Sequence, residues 1–213
     1  TYTFNLNTGI YFHDNKCFSG EKGRKITAND FVYSFNRLLD ATVSSATSLL
    51  SNVNMNEKNG FEAPNDNTFI IHLTKPFTPF LGILTMKYFS VIPKEAVEKY
   101  GDDFRSNPVG TGPFKFKMWE EGSKMVLVKN ENYFEYDEEG IHLPYLAAVS
   151  ITFIKDKETS FFNFLQGDID MVSGIDAINT DKVLTPDGTL KEDYKTRFTM
   201  QTLPYLKTDY LGF

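Results

Sequence analysis

Gly110 and Gly112 stand two apart in NPVGTGPFKFKMWEEGSKMVLVKN, residues 107–130, and closely spaced glycines are what a phosphate-cradling loop requires. The residues behind them do not fit that chemistry. A P-loop needs G-x-x-x-x-G-K-[ST], and a dinucleotide fingerprint needs a third glycine with a helix opening after it, so that backbone N–H groups converge on the anion. Here Pro113 follows Gly112, and Phe114 and Phe116 alternate with Lys115 and Lys117 as in a strand. The pair reads as a tight turn feeding a hairpin, its glycines supplying positive φ or a close backbone approach.

Other reactive side chains form no recognisable constellation. His13, His72 and His142 are never four apart, and no His-Glu-x-x-His occurs, so the pattern offers no zinc site. His13 and Cys17 lie close in FHDNKCFSG, but proximity in sequence does not pair a thiol with a base, and the stretch reads as a solvated loop. Glu131, Glu135, Asp137, Glu138 and Glu139 are acidic enough for calcium, yet they lack the D-x-[DN]-x-[DN]-G order of an EF-hand, and a solvated acidic loop is the better reading. Tyr133, Phe134 and Tyr136 within it are expected to pack against a sheet edge. Asp168 and Asp170 alternate along GDIDM and would face one side of a strand, but no nucleophile or base accompanies them.

Composition narrows the partners. The chain has 213 residues, 41% of them hydrophobic, with 20 Phe and 11 Tyr, which is an ordinary globular profile enriched in aromatics. Twenty-two Lys and Arg against 28 Asp and Glu leave a net charge of −6, which repels nucleic acid and anionic membrane surfaces alike. The one cysteine permits no internal disulfide. No stretch reaches the roughly 20 apolar residues of a membrane span, and no leader opens the chain. TYTFNL and TDYLGF at the two ends read as strand patterns cut short, so the sequence is expected to be an excised piece of a longer protein.

The elements that must position these residues are legible as local patterns. Tyr2, Phe4 and Leu6 alternate as a strand. Thr27 and Asp30 form a capping pair for a helix over 28–40 with Phe31, Phe35, Leu38 and Leu39 on one stripe. A strand spans 68–73 and ends before Pro76. Thr78-Pro79 marks a helix start, Pro93 opens a short helix, and Gly101 stops it. Residues 114–127 make a hairpin around a polar turn. Val149–Phe153, Lys157–Gln166 and Ile169–Val172 read as strand, helix and strand, a βαβ unit with parallel strands. The fold class is therefore α/β, a mixed sheet with flanking helices, divided near Asn107 into a region 1–106 and a region 107–213. Ligands of open α/β sheets sit beyond the carboxyl ends of strands, which singles out Ser173, Gly174, Ile175 and Asp176 after DIDMV.

The stretches YTFNLNTGIYFHD, ITANDFVYSFNRLLD, NTFIIHLTKPFTPFL, NPVGTGPFKFKMWEEGSKMVLVKNENYF, LPYLAAVSITFI and FLQGDIDMVSG, in this order, resemble the extracytoplasmic solute-binding proteins of peptide-type ABC transporters. No single motif carries the likeness; it extends over almost the whole chain. It implies part of the first lobe of a two-lobed periplasmic-binding-protein-like clamp, with the second lobe beyond YLGF. Region 1–106 would then be a first-lobe subdomain, and region 107–213 a partial core leading to the hinge. The loop NKCFSGEKGRK is longer than the family's usual link, and no role is assigned to it.

The resemblance also implies a function: capture of peptides between the lobes and delivery to ABC permease subunits in the membrane, without catalysis or cofactor, by a monomer. Ser173, Gly174 and Ile175 would contact ligand, Tyr210 and Phe213 would line the cleft floor near the hinge, and Ser44–Ser48 is a weaker candidate. The same scaffold serves nickel chelates, haem and oligosaccharides, so cargo does not follow from fold. A hydrolase using Asp168 and Asp170 is the alternative of a different class. The implied location is the periplasm or cell surface, with a lipid anchor in an N-terminal region outside this sequence.

Overall fold

A computed structural model describes residues 1–40, 42–43, 47–55 and 60–204. Contacts group the chain into two compact units, Thr1–Thr152 and Phe153–Phe213.

The first unit holds two three-stranded antiparallel sheets. In one, β3 (Thr68–Ile71) lies between β1 (Tyr2–Asn5) and β2 (Phe61–Asn65). Tyr2 pairs with Ile71 and Phe4 with Phe69. Helix α1 (Ala28–Arg37) covers this sheet. It starts where expected because Thr27 and Asp30 cap each other's backbone reciprocally, and it stops at Arg37, short of residue 40, with Leu38 and Leu39 in a closing turn. Phe35 is its deepest anchor: its ring meets Phe61, Phe69 and Phe89 edge-on at 5.4, 5.2 and 5.2 Å, a geometry that aligns ring edges with ring faces. Ser34 on the same helix is buried and bridges both backbone groups of Ile92, accepting from its N–H at 2.9 Å and donating to its carbonyl at 3.2 Å.

Short helices follow. Helix α2 (Phe80–Leu84) begins after Pro79, and Thr78 contributes no capping side chain. Helix α3 (Lys94–Tyr100) opens after Pro93, buries Ala96 and ends at Gly101, whose φ of +50° an L side chain resists. A second apolar cluster gathers Phe12, Phe18, Ile26, Ala96 and Val109, so the stretch around His13 and Cys17 is not the solvated loop expected: Phe12 is 2% exposed and His13 8%. Gly23 is obligatory there, because a Cβ on it would lie 1.8 Å from the Phe12 carbonyl oxygen.

The loop at Asn107 separates the two sheets of this unit. In the second sheet, β5 (Lys124–Lys129) pairs with β4 (Phe114–Glu120) on one side and β6 (Ala148–Thr152) on the other. The 114–127 hairpin is as expected.

The second unit is helical among its described residues: α4 (Lys157–Gln166), α5 (Ala177–Val183) and α6 (Glu192–Lys195). Asp156 caps α4 through the Thr159 N–H at 2.7 Å, and Gly167 ends it with φ +85°. The expected parallel βαβ unit does not form. Ile169–Val172 is not a strand, and every strand pairing among the described residues is antiparallel. A strand is defined by its neighbour's hydrogen bonds, and Ile169–Val172 has no paired neighbour among the described residues, whereas β6 is held by β5. The α/β character therefore rests on two antiparallel sheets, one of them covered by α1, together with further helices, and not on a parallel βαβ unit.

Candidate functional site

The strand-to-helix loop expected at 173–176 is a loop that opens α5. Asp176 is its cap, accepting from the Ala177 N–H at 2.7 Å. Gly174 takes a left-handed φ of +79°, which frees the chain to reverse there. Gly174 and Ile175 border a cavity of about 380 Å³, walled chiefly by Phe161, Phe164, Val183 and Phe198. Ser173 is exposed beside it and does not line it. Thr180, Thr199, Gln201 and Thr202 supply its polar atoms, and no ionisable side chain is among its described lining residues. Such a wall suits an uncharged, largely apolar group and holds no acid, base or nucleophile.

The remaining candidates separate. Tyr210 and Phe213 lie outside the described residues, as do positions 44–46. Thr47 and Ser48 open a short 3-10 turn, with the Thr47 hydroxyl donating to the Leu38 carbonyl at 2.9 Å. Asp168 and Asp170 are exposed and lie on no strand, so they do not share a sheet face as expected. Burial pushes the Cys17 thiol above its usual range, the opposite of an activated nucleophile.

Gly110 and Gly112 do form a turn that leads into β4, but for a reason other than positive φ or crowding. Neither has a left-handed φ, and a Cβ would meet nothing closer than the His13 ring at 4.0 Å from Gly110. Their carbonyls are what the fold uses. The His13 backbone N–H donates to the Gly110 carbonyl at 2.8 Å, and its ring Nε2 bonds the Gly112 carbonyl at 2.9 Å. The Asn130 amide donates to that same Gly112 oxygen at 3.0 Å, and Asn130 is 3% exposed. Burial lowers the His13 pKa, with Lys115 adding to the effect, so the ring is neutral at pH 7 and bonds Gly112 as an Nε2–H donor.

Arg24 is a centre that sequence reasoning missed. Its guanidinium bonds both Asp30 oxygens, at 2.9 and 2.7 Å, and both Glu95 oxygens, at 2.5 and 2.9 Å. It also lies over the Phe12 ring at 5.3 Å. The 15–25 loop thus ties the cap of α1 to the first turn of α3. The hydrogen bonds from Arg24 hold Glu95 below the usual carboxylate range, and the two carboxylates drive Arg24 up. Only the cap Asp30 was legible beforehand; Glu95 is 71 residues from Arg24, and no local pattern links them.

Comparison with known proteins bears on the whole chain. The dipeptide-binding protein of Escherichia coli K12 is 34% identical over 139 residues, 59% of this chain and 25% of the relative. Heme-binding protein A of Haemophilus influenzae is 34% identical over 155 residues, 63% of this chain and 26% of the relative. The periplasmic binding protein DppA of Helicobacter pylori, solved in complex with the peptide STSA, superposes with a TM-score of 0.69 at 28% identity, covering 85% of this chain and 36% of that one. The chain thus spans about a quarter to a little over a third of the proteins it matches. The family model described as bacterial extracellular solute-binding proteins, family 5 Middle, matches residues 1–213, and the chain belongs to that family.

Proposed function

We propose that this chain is part of the first lobe of the substrate-binding component of an ABC importer, which captures peptides in a cleft between two lobes and hands them to a membrane permease. The observation that carries the reading is the likeness over 85% of the chain to a binding protein solved with a bound peptide, joined to the family match along its full length. Ser173, Gly174 and Ile175 are the proposed ligand contacts: Gly174 and Ile175 border a cavity whose lining suits an uncharged peptide side chain, and Ser173 is exposed beside them. The second lobe would supply the remaining contacts, and closure would follow from ligand touching both. The protein acts as a monomer outside the cytoplasm, held at the membrane by an N-terminal lipid, and does no chemistry on its cargo. A second cargo, haem, is favoured by one observation: the haem-binding relative is as identical to this chain as the dipeptide-binding one.

Calorimetric titration separates these. A pool of short peptides added to the full-length protein should release heat, with little from this chain alone, and haem should give neither heat nor a shifted Soret band. Silence with peptide and a saturable Soret change would move the cargo to haem.

A further inference from the structure

Between β5 and β6 the chain makes an excursion, residues 130–147, that encloses a shallow groove of about 300 Å³. The groove is lined by Pro113, Phe114, Pro144 and Leu146, by Tyr133 and Tyr145, and by one carboxylate, Glu135. Both tyrosine hydroxyls are committed. Tyr133 donates to Glu135 at 2.6 Å, and Tyr145 donates to Asp137. A phenol bonded to a carboxylate is held in one orientation and carries extra electron density on its ring, which favours a cation over its face. Burial and the Glu135 bond push the Tyr133 pKa up to about 12, so it remains a neutral donor.

The excursion itself carries charge of one sign among its Asp, Glu, Lys and Arg residues. Residues 130–147 include five carboxylates and no lysine or arginine. Lys129, at the base of the excursion, faces Glu131 at 3.9 Å. Meanwhile Tyr145 is 66% exposed, Leu146 62% and Tyr136 63%, large apolar side chains left open to solvent beside the acidic residues.

We propose that this groove is a docking site for an extended, basic segment of a partner protein, with an arginine side chain as its anchor. The arginine stem lies against Pro113, Pro144 and Leu146, as long cationic side chains commonly cover apolar surface. Its guanidinium stacks on a tyrosine ring and takes the free lone pairs of Glu135 or Asp137, a combination that suits its planar fork better than the compact, strongly hydrated lysine head. The site is remote in sequence from Gly174 and Ile175 and is independent of cargo chemistry.

The test uses the full-length protein that contains this chain, isotopically labelled, and the end-blocked peptide acetyl-Leu-Arg-Pro-Leu-amide, followed by amide chemical shifts. Blocked ends remove the charged termini of a cargo peptide. Saturable shifts should concentrate at residues 113–114 and 133–146 and weaken with salt. Replacing the arginine by citrulline, which keeps the shape and removes the charge, should abolish them. Tyr145→Ala and Glu135→Gln should each weaken binding roughly fivefold, and because Tyr145 is largely exposed the variant should keep its fold, which its unperturbed spectrum elsewhere checks. Equal binding of the citrulline peptide, shifts centred on 173–175, or no saturable shift at millimolar peptide would each overturn the proposal.

Discussion

His13 ties its own segment to the Gly110–Gly112 turn through two carbonyls, and its chemistry has a pH consequence. Because burial lowers its folded pKa from the ordinary 6.5, the ring is neutral in both folded and unfolded chains above that pH, and the full stabilisation stands. As pH falls through 6.5 the unfolded chain takes up its proton first, so stability declines until the folded ring titrates too. The melting temperature should therefore drop as pH falls below about 6.5, and His13→Gln, which keeps a donor but cannot titrate, should flatten that slope. An unchanged slope in the variant would show that other groups govern it. Arg24 makes a different prediction. Arg24→Met leaves Asp30, 4% exposed, as a nearly buried carboxylate without its cation, at a cost of about 3 kcal/mol. Glu95→Gln should cost at most about 1 kcal/mol, since that carboxylate and its partner are about a third exposed to water. Denaturant unfolding of the two variants checks the order, and equal losses would sink it.

At the scale of elements, α1 is held by its cap and by one ring. Phe35→Ala removes three edge-on aromatic contacts and should destabilise by about 3–5 kcal/mol, measured by urea unfolding; a loss below about 1 kcal/mol would mean the core collapses onto the gap. Gly23→Ala should also be costly although its site is a loop, because the atom in the way is backbone, the Phe12 carbonyl, and cannot rotate aside. The elements themselves were readable where their causes are local. The Thr27–Asp30 box, the Phe114–Met125 alternation and the Gly167 stop act locally, so β1, the start of α1, the hairpin and α4 fall where periodicity and punctuation place them, while the end of α1 comes earlier, at Arg37. Ile169–Val172 has the same apolar alternation, but a strand needs a partner from elsewhere in the chain, and pattern cannot supply one.

For the molecule as a whole, division into two compact units at Thr152 predicts separable openings. Native-state hydrogen exchange should show Phe35→Ala accelerating exchange in α1 and β3 while leaving α4 and α5 at their original rates. Uniform acceleration would mean one cooperative unit. The 130–147 excursion contributes five carboxylates and no lysine or arginine to the net charge of −6, and the proposed docking of a basic segment rests on that local asymmetry.

The helix and strand periodicities, the hairpin after Gly112 and the lack of a phosphate-loop motif were legible in the residues alone, because each depends on residue types at short, countable spacings; the family resemblance rested instead on the order of many stretches along almost the whole chain. Tertiary structure decided what those residues do. It turned the His13 loop into core, used the Gly110 and Gly112 carbonyls as acceptors, joined Arg24 to Glu95 across 71 residues, and placed Gly174 and Ile175, but not Ser173, at an apolar cavity. These outcomes rest on contacts between segments distant in the chain. Such contacts form because buried polar groups must find partners wherever the fold brings them, a requirement that leaves no periodic trace in the sequence.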